Sequence, residues 1–408
     1  MKNKLFRRLS AVAVATMFLL LPVSGTRVGL AQSRRQPPTA PQKKNPRPDE
    51  TNPQGQQEPQ EPLPPDIIKE TETIKVTASL VNVEAVVINK KTKQLVTNLK
   101  KENFAIFEDG IRQDVTNFST PEAPITVAMV VEYSKLAQAM GYYGSGGQEA
   151  GQLEVIRPMA MFMQQFIKPP QDFVSVVAYD MRPTPLTDFT NDPARISQVI
   201  SLLLRNQPAF NEANLFDALK FVLVGGRGDS VVLDNSKEEK AEYTGMASLQ
   251  GRRKAVFLVS TGIDTFSKIN YGDARKLAQN AGVPIYIIGT GHLFLKKYDQ
   301  DLSTTDGIGG SNQPGRLSFL QADNTLKTFA KETGGMYFPV TFPGELPSVL
   351  STINAVMRNQ YSLGYSPGER RDGKQHKIVV KVDMDGDGQF EEKELTINSR
   401  QFYNSPKP

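Results

Sequence analysis

The 408-residue sequence contains no cysteine, no tryptophan and only two histidines. The absence of cysteine excludes disulfide bonds, thiol chemistry and a lipoprotein anchor. Two histidines without a cysteine argue against a zinc site, and His292 stands alone after an apolar segment. We therefore expect a chain that is stabilised by core packing and whose polar sites are built from oxygen-bearing side chains.

The chain also lacks net charge once its N-terminus is set aside. Residues 1–31 begin with bases, continue with an apolar run from Leu9 to Val23 and end in small residues, which is the pattern of a secretory signal peptide. This segment carries five of the 48 bases and no acid, which leaves 43 bases against 43 acids. We predict an exported protein, periplasmic or extracellular, with no transmembrane span in the mature chain and no nucleic-acid partner.

Composition and hydrophobic period divide the remaining chain into four segments. Residues 32–66 are rich in proline and glutamine, which predicts a disordered tether. Residues 67–120 alternate in the manner of strands, with a hairpin turn at Asp109-Gly110. Residues 125–358 alternate apolar runs with amphipathic helical patterns, and residues 359–408 return to strands.

This order of patterns predicts an α/β fold class for the central segment. Continuous apolar strands separated by amphipathic helices are typical of a doubly wound, mostly parallel sheet of Rossmann type. The N- and C-terminal β-segments each contain too few strands to be stable alone. We therefore predict that the α/β domain is inserted between two β-segments that form one β-sandwich.

Several segments resemble a von Willebrand factor type A domain in content and order. They are "ITVAMVVEYSKLA", "NEANLFDALKFVL", "RKAVFLVSTGIDTFS" and the ending "YSLGYSP". The opening "VNVEAVVINKKTKQLVTNLKKENFAIFEDGIRQDVTNF" is similar to that of the secreted VWFA-related family, which is abundant in acidobacteria. The resemblance covers roughly residues 73–408. It implies a protein-interaction, adhesion or scaffold module with an unknown protein ligand.

Domains of this class often hold magnesium at a metal-ion-dependent adhesion site, built from an Asp-x-Ser-x-Ser segment, a threonine and an aspartate. The matching positions in this chain are Glu132, Ser134, Leu136, Ala213 and Thr261. The side chains that remain offer too few oxygen atoms for tight binding of a hard dication. The resemblance therefore predicts a degenerate site without magnesium. Asp180 and Asp264 near strand ends are candidates to compensate, and Tyr142 and Tyr143 are candidates for a contact surface.

The segment "DMDGDGQFEEKE" matches a twelve-residue calcium loop at every position, with glycine at the sixth. The predicted ligands, in order, are Asp383, Asp385, Asp387, Gln389, Glu391 and Glu394. Strand patterns flank this loop where helices are usual, so we predict a structural calcium ion between two strands. The alternative interpretation is a solvated Asp-Gly turn.

Other short motifs carry less information. "GYSPG" (364–368) matches a serine-hydrolase elbow around Ser366, but only His376 follows it and a proline interrupts it. Arg227-Gly228-Asp229 lies in a predicted loop, and the glycine-rich stretches 144–147 and 307–310 lack phosphate-loop partners. We predict a non-enzymatic interaction module. The alternatives are a hydrolase that uses Ser366 or strand-edge carboxylates, and metal-dependent adhesion through a remodelled site.

Overall fold

The structure is a computed structural model that describes residues 80–120, 124–140, 150–229, 240–249, 253–298, 314–368 and 372–407. Several predicted features lie outside the described residues: the signal peptide (1–31), the tether (32–66), Tyr142, Tyr143 and the stretches 144–147 and 307–310. Within the described part of the chain, no helix combines the length and apolarity that crossing a bilayer requires.

The described residues form sixteen strands and eight α-helices. The chain begins with β1 (Val81–Asn89), β2 (Phe104–Glu108), β3 (Ile111–Gln113) and β4 (Asn117–Ser119). The central strands are β5 (Ile125–Glu132), β6 (Phe173–Tyr179), β7 (Pro183–Thr190), β8 (Gly225–Asp229), β9 (Lys240–Thr244), β10 (Arg253–Ser260), β11 (Ile285–Gly289) and β12 (Tyr337–Pro339). The helices among them are α1 (Lys135–Met140), α2 (Ala150–Phe166), α3 (Pro193–Arg205), α4 (Leu215–Val224), α5 (Tyr271–Ala281), α6 (Gly291–Tyr298), α7 (Arg316–Thr333) and α8 (Leu346–Arg358). The last strands are β13 (Tyr361–Tyr365), β14 (Gln375–Val382), β15 (Leu395–Ser399) and β16 (Phe402–Asn404).

Six central strands form one sheet in the order β12-β11-β10-β5-β6-β7. All neighbours are parallel except the edge strand β7, which is antiparallel to β6. Strand β5 is buried along its whole length, and its alternate residues enter different cores. Met129 and Val131 pack with α2 and α8, whereas Ala128 and Val130 pack with α4, α5 and α7. This burial on both faces explains the continuous apolar runs and confirms the mostly parallel α/β sheet.

Two features of the central segment differ from the sequence prediction. The pattern does not predict β7, because Pro183 and Pro185 interrupt it; proline lacks an amide proton and is accepted on edge strands such as this one. The prediction of a loop for Arg227-Gly228-Asp229 is wrong, since these residues lie in β8 and pair with β9 in a two-stranded sheet.

The flanking segments form two four-stranded antiparallel sheets, each of which combines strands from both ends of the described chain. Their orders are β15-β1-β13-β4 and β16-β14-β2-β3. Val83 pairs with Leu363 between β1 and β13, and Ile106 pairs with Val380 between β2 and β14. All four side chains belong to one buried hydrophobic cluster. The predicted pairing of N- and C-terminal strands is therefore confirmed, and each segment completes the sheets of the other.

The turn between β2 and β3 follows the predicted hairpin. Glu108 pairs with Ile111 across a two-residue loop. Asp109 and Gly110 have φ angles of 49° and 83°, which is the left-handed pair that a type I′ turn requires. An Asp-Gly pair is suited to this turn because glycine has no side-chain penalty there and aspartate tolerates it. The turn fixes the side chains of Glu108 and Asp109 at one end of the second flanking sheet.

Candidate functional site at the carboxyl edge of the central sheet

Three parallel strands of the central sheet end in polar residues at the same edge. They are β5 with Glu132, β6 with Tyr179 and β10 with Ser260, which is followed by Thr261. The order of strands reverses between β5 and β10, because the chain first builds outward through β6 and then returns to the other side of β5. In open α/β sheets, ligands bind beyond the carboxyl ends of the strands at such a switch point.

Glu132 lies at the centre of this edge, and its side chain is buried with 1% exposure. Its Oε2 accepts hydrogen bonds from the Thr261 N–H at 2.7 Å and from the Ser260 hydroxyl at 3.0 Å. Ser134 donates to Oε1 at 3.1 Å, and Thr261 Oγ1 lies about equally close to both oxygens, at 3.0 and 2.9 Å. Both carboxylate oxygens of Glu132 are therefore engaged by uncharged donors.

Tyr179 extends this network across the strand ends. Its hydroxyl lies 2.8 Å from Ser260 Oγ and 3.3 Å from Glu132 Oε2. Burial raises the pKa of Tyr179 well above its ordinary value, and the neighbouring Glu132 charge adds to the rise. Burial also raises the pKa of Glu132, although donation from Thr261, Ser260 and Ser134 opposes the rise. The tyrosine consequently remains a protonated donor at neutral pH.

The structure brings together three of the five positions that the family resemblance singled out. Glu132, Ser134 and Thr261 are in hydrogen-bond contact, whereas Leu136 packs against apolar residues. Ala213 is buried and donates its backbone N–H to Thr265 Oγ1 at 2.9 Å, so it supplies no side-chain oxygen. Ser134 Oγ also accepts the N–H of the first turn of α1, from Ala137.

Two members of this network are absent from the sequence prediction. Tyr179 and Ser260 are the last residues of apolar strand patterns, and each faces the end of β5 from a neighbouring strand. The sequence feature that could have identified them is a polar residue at the end of an apolar strand pattern. Such a residue is also common at the end of any strand, so the signal becomes specific only when the strand order is known.

The donor set does not suit magnesium. Mg²⁺ requires octahedral oxygen coordination, and protein sites usually supply carboxylates whose lone pairs face the ion. The single carboxylate here accepts hydrogen bonds from Thr261, Ser260 and Ser134. A cation at this place would have to break these bonds, and the nearby carboxylates of Asp180 and Asp264 are themselves hydrogen-bonded to backbone N–H groups.

Asp180 and Asp264, two further carboxylates near this edge, hold the surrounding loops. Asp264 accepts the Phe216 N–H at 3.1 Å and the Ser267 hydroxyl at 2.5 Å, at the start of α4. Asp180 accepts the N–H of Arg182 at 3.2 Å. Burial raises the pKa of both aspartates.

A cavity of about 300 Å³ opens at the same edge between β6, β7 and α3. Apolar groups of Tyr133, Ala178, Leu186 and Leu202 form much of its wall, with Asp180 at its polar side. Tyr133 directly follows Glu132, and its hydroxyl donates to the Leu203 carbonyl at 3.0 Å. The cavity therefore adjoins the Glu132 network and offers an apolar recess of side-chain size.

The motif around Ser366 has a geometry unlike that of a hydrolase elbow. Ser366 is exposed after β13, and its Oγ accepts the Gly368 N–H at 3.4 Å within a turn. The elbow requires a strand–turn–helix arrangement. The ring nitrogens of His376 contact Asp109 and Asp372. Ser366 and His376 therefore gain no support as a nucleophile and its base.

The acidic loop after β14 forms a second candidate site. The carboxylate oxygens of Asp383, Asp385 and Glu391 lie within 4.8 Å of one another. Asp383 accepts the N–H groups of Gly386 at 2.7 Å and Gly388 at 2.9 Å, which curls the loop around its first residue. The loop thus brings one carboxylate oxygen from each of these three residues close together.

Strands flank this loop on both sides, as the sequence predicts. Before β15 the chain turns, with the Glu394 N–H donating to the Glu391 carbonyl at 3.1 Å. Asp387 accepts the Gln389 N–H at 2.7 Å. Asn103 anchors the loop by donating to the Asp383 carbonyl at 2.8 Å. Asp387, Gln389 and Glu394 remain predicted ligands on the sequence pattern alone.

Comparisons with known proteins give distant structural neighbours. No protein-family model and no curated protein matches the chain. The von Willebrand factor domain of the type V pili tip protein Mfa5 from Porphyromonas gingivalis is 16% identical, with 58% of this chain and 95% of that chain covered and a TM-score of 0.36. An aerotolerance-related membrane protein from Bacteroides fragilis is also 16% identical, with coverage of 58% and 98% and a TM-score of 0.35.

Proximal thread matrix protein 1 from the mussel byssus is another neighbour. It is 13% identical, with 59% of this chain and 49% of that chain covered and a TM-score of 0.36. This chain thus spans about half the length of the mussel protein. At these identities the similarity concerns the fold alone. The Mfa5 neighbour is a von Willebrand factor domain by name, the class that the sequence resembles.

Proposed function

We propose that this chain is an exported, non-enzymatic interaction module that holds a protein ligand at the carboxyl edge of its central sheet. The observation that carries the proposal is an apolar cavity next to the carboxylate of Glu132, which already accepts hydrogen bonds from its neighbours. Leu186 and Leu202 provide apolar surface there, while Glu132 is fully hydrogen-bonded by its neighbours. Such an edge favours burial of a ligand side chain over a chemical step.

The ligand is held without magnesium in this proposal. In a working metal-dependent adhesion site, the partner supplies a carboxylate to the metal. The Glu132 network supports a different mode, since uncharged donors already satisfy its carboxylate. The cavity beside it suits an apolar side chain of the ligand, and Asp180 at the rim suits a neighbouring basic group.

The signal-peptide pattern of residues 1–31 supports export, and the lack of cysteine is compatible with it when other interactions stabilise the fold. We further propose that the two flanking sheets form one β-sandwich. The observation in support is that Val83 and Leu363 of one sheet share a hydrophobic cluster with Phe104 and Val380 of the other.

The acidic loop is proposed to bind calcium with a structural role. Asp383 and Glu391 are half-buried and Asp385 is exposed, so waters have access to complete a shell of six to eight oxygens. The ring of Phe390 packs edge-on against Phe107 of β2, with centroids 5.9 Å apart. A bound ion would therefore stiffen a connection that is already attached to the second flanking sheet.

Site-specific photo-crosslinking tests the interaction proposal. A photoreactive amino acid replaces Leu202 in the cavity wall, and a matched chain carries it at Leu317, an exposed leucine on α7 outside the cavity. After illumination in the native cell envelope, the Leu202 probe should form one discrete crosslinked product. Leu202→Glu should abolish capture of that protein by the purified chain.

Two results would contradict the proposal. The first is an identical crosslinking pattern from the Leu202 and Leu317 probes. The second is capture that is unchanged by Leu202→Glu in a protein whose thermal unfolding matches the parent. A turnover that depends on Asp180 or Ser366 would favour the hydrolase alternative.

A further inference from the structure

His376 lies in a cluster of carboxylates at the end of the second flanking sheet. Its Nδ1 is 2.7 Å from Asp109 Oδ2 and 3.7 Å from Glu108 Oε1. The three donor atoms all lie within 4.8 Å of one another. The histidine comes from β14, whereas Glu108 is the last residue of β2 and Asp109 is the first residue of the β2–β3 turn, 267 residues before His376.

The second donor atom of each side chain is held by a separate partner. Asp109 Oδ1 accepts the Lys377 N–H at 2.8 Å, and Glu108 Oε2 accepts the Tyr365 hydroxyl at 2.6 Å. His376 Nε2 lies 3.1 Å from Asp372 Oδ1. The remaining donor atoms lie close together: His376 Nδ1 is in hydrogen-bond contact with Asp109 Oδ2, and Glu108 Oε1 is nearby. Metal-binding histidines and carboxylates are oriented in the same way, by hydrogen bonds to the atom that does not bind the metal.

We propose that Glu108, Asp109 and His376 form a binding site for a divalent transition metal, with zinc as the best-suited ion. One imidazole nitrogen and two carboxylate oxygens are a donor set that zinc accepts, and calcium, which prefers oxygen, is disfavoured. Two ligands of a tetrahedral zinc ion are about 3.3 Å apart, from bond lengths near 2 Å. The distances from His376 Nδ1, 2.7 and 3.7 Å, bracket this value.

Burial and access are compatible with such a site. The side chains of His376 and Glu108 are 7% and 1% exposed, while that of Asp109 is 46% exposed. The metal would therefore be anchored on the buried side and reached from the Asp109 side, where water completes its coordination. With a metal bound, Asp372 would act as a positioning residue, because acceptance of the His376 Nε2–H by its carboxylate selects the tautomer whose Nδ1 carries no proton.

The site would join the two flanking segments as a cross-link does. Asp109 belongs to the segment before the central domain and His376 to the segment after it. The chain contains no cysteine, so no disulfide serves this purpose. The sequence alone argues against a zinc site, because it contains only two histidines. The carboxylates that complete the set come from a hairpin that the fold places beside β14.

Zinc titration of the full chain tests the proposal. The chain is dialysed against chelator, and ZnCl₂ is added in the calorimeter with calcium in excess to occupy the acidic loop. His376→Gln is compared with His292→Gln, a matched control at the second histidine, which contacts Asp323. The parent and His292→Gln should each bind about one zinc ion per chain. His376→Gln and Asp109→Asn should lose this binding, and Asp372→Asn should weaken it by roughly 10- to 100-fold.

Cobalt provides a second readout that does not depend on stability. The parent and His292→Gln should show visible Co²⁺ absorption bands that His376→Gln lacks. Circular dichroism under chelator verifies that each variant is folded before titration. The proposal is overturned if the folded parent binds no zinc, in which case a proton alone occupies the space between Asp109 and His376. It is equally overturned if His376→Gln binds zinc as the parent does.

Discussion

The surroundings of the carboxylates differ between the central sheet and the second flanking sheet. At the carboxyl edge of the central sheet, one buried carboxylate, that of Glu132, is surrounded by hydroxyl and amide donors. At two places in and beside the second flanking sheet, carboxylates converge in groups. These groups are Asp383 with Asp385 and Glu391, and Glu108 with Asp109 and His376.

The two arrangements differ because hydrogen bonds act over a short range, whereas repulsion between charges acts over a longer one. A few uncharged donors can satisfy one carboxylate, because each hydrogen bond acts locally and needs no counter-ion. Several carboxylates within 4.8 Å repel one another unless a proton or a cation stands between them. We therefore predict that cations stabilise the two groups of carboxylates at the second flanking sheet and have no effect at the carboxyl edge of the central sheet.

The largest effect is expected when the central network is broken. Glu132→Ala removes the acceptor for the Thr261 N–H, which is buried in the network. It also leaves the Ser134 and Ser260 hydroxyls without that acceptor. Unsatisfied buried donors and the space left by the side chain should lower the free energy of unfolding by about 3 kcal/mol. Urea unfolding followed by circular dichroism measures this change.

Glu132→Gln is the matched control, since its amide oxygen still accepts the Thr261 N–H and the hydroxyl groups can rotate. It should cost clearly less than the alanine variant. A second comparison uses a chain that carries both Asp109→Asn and Asp385→Ala, which removes the two proposed flanking sites. This chain should melt at the same temperature in magnesium and in chelator. A rise in melting temperature with magnesium in that background, lost in Glu132→Ala, would show that the edge binds a cation after all.

The next effect concerns the acidic loop. If Asp383, Asp385 and Glu391 bind calcium, a concentration one hundred times the dissociation constant adds about 2.7 kcal/mol to the free energy of unfolding. Calcium should therefore raise the melting temperature of the parent, and Asp385→Ala should remove the rise. Differential scanning calorimetry in calcium and in chelator makes the comparison.

Asp109→Asn separates this loop from the histidine cluster. The variant should keep the calcium response, because Asp109 belongs to the other group of carboxylates. Equal melting of the parent in chelator and in excess calcium would instead identify the loop as a solvated turn. Its local hydrogen bonds, such as those from Gly386 and Gly388 to Asp383, would then be sufficient to hold it.

Local patterns predict the central sheet because its strands are buried on both faces. Strand β5 is a continuous apolar run for that reason, and its amphipathic neighbours are helices. The Asp109-Gly110 turn is likewise predictable, since only a few residue pairs accept two left-handed conformations in succession. In these cases the physical cause acts over a few neighbouring residues.

The sites are harder to predict because their members come from distant parts of the chain. Tyr179 and Ser260 read as ordinary strand residues until the strand order brings both to Glu132. His376 finds Asp109 only through the pairing of β14 with β2. Strand β7 is difficult to predict because it contains prolines, and a strand accepts proline readily only when it lies at the edge of its sheet. In each case the missing information is the neighbour across a sheet.

The smallest expected effect is a pH dependence that separates Glu132 from an ordinary carboxylate. Burial raises the pKa of Glu132 in the folded chain. The folded protein therefore retains a proton at pH values at which the unfolded chain has released it, so stability falls as the pH rises from the unfolded toward the folded pKa. Each unit of difference is worth about 1.4 kcal/mol. Glu132→Gln does not titrate, and its stability relative to the parent should increase across this window.

Asp323 provides the control of opposite sign. Burial alone would raise its pKa, but hydrogen bonds from Lys327, Tyr337 and His292 outweigh burial and lower it. Its contribution to stability is present above the ordinary aspartate pKa and is lost as the pH falls through the folded value. Urea titrations across the acidic range should give Asp323→Asn and Glu132→Gln opposite trends relative to the parent. Parallel curves for Glu132→Gln and the parent would mean that Glu132 titrates as it does in the unfolded chain, and that its donors compensate fully for burial.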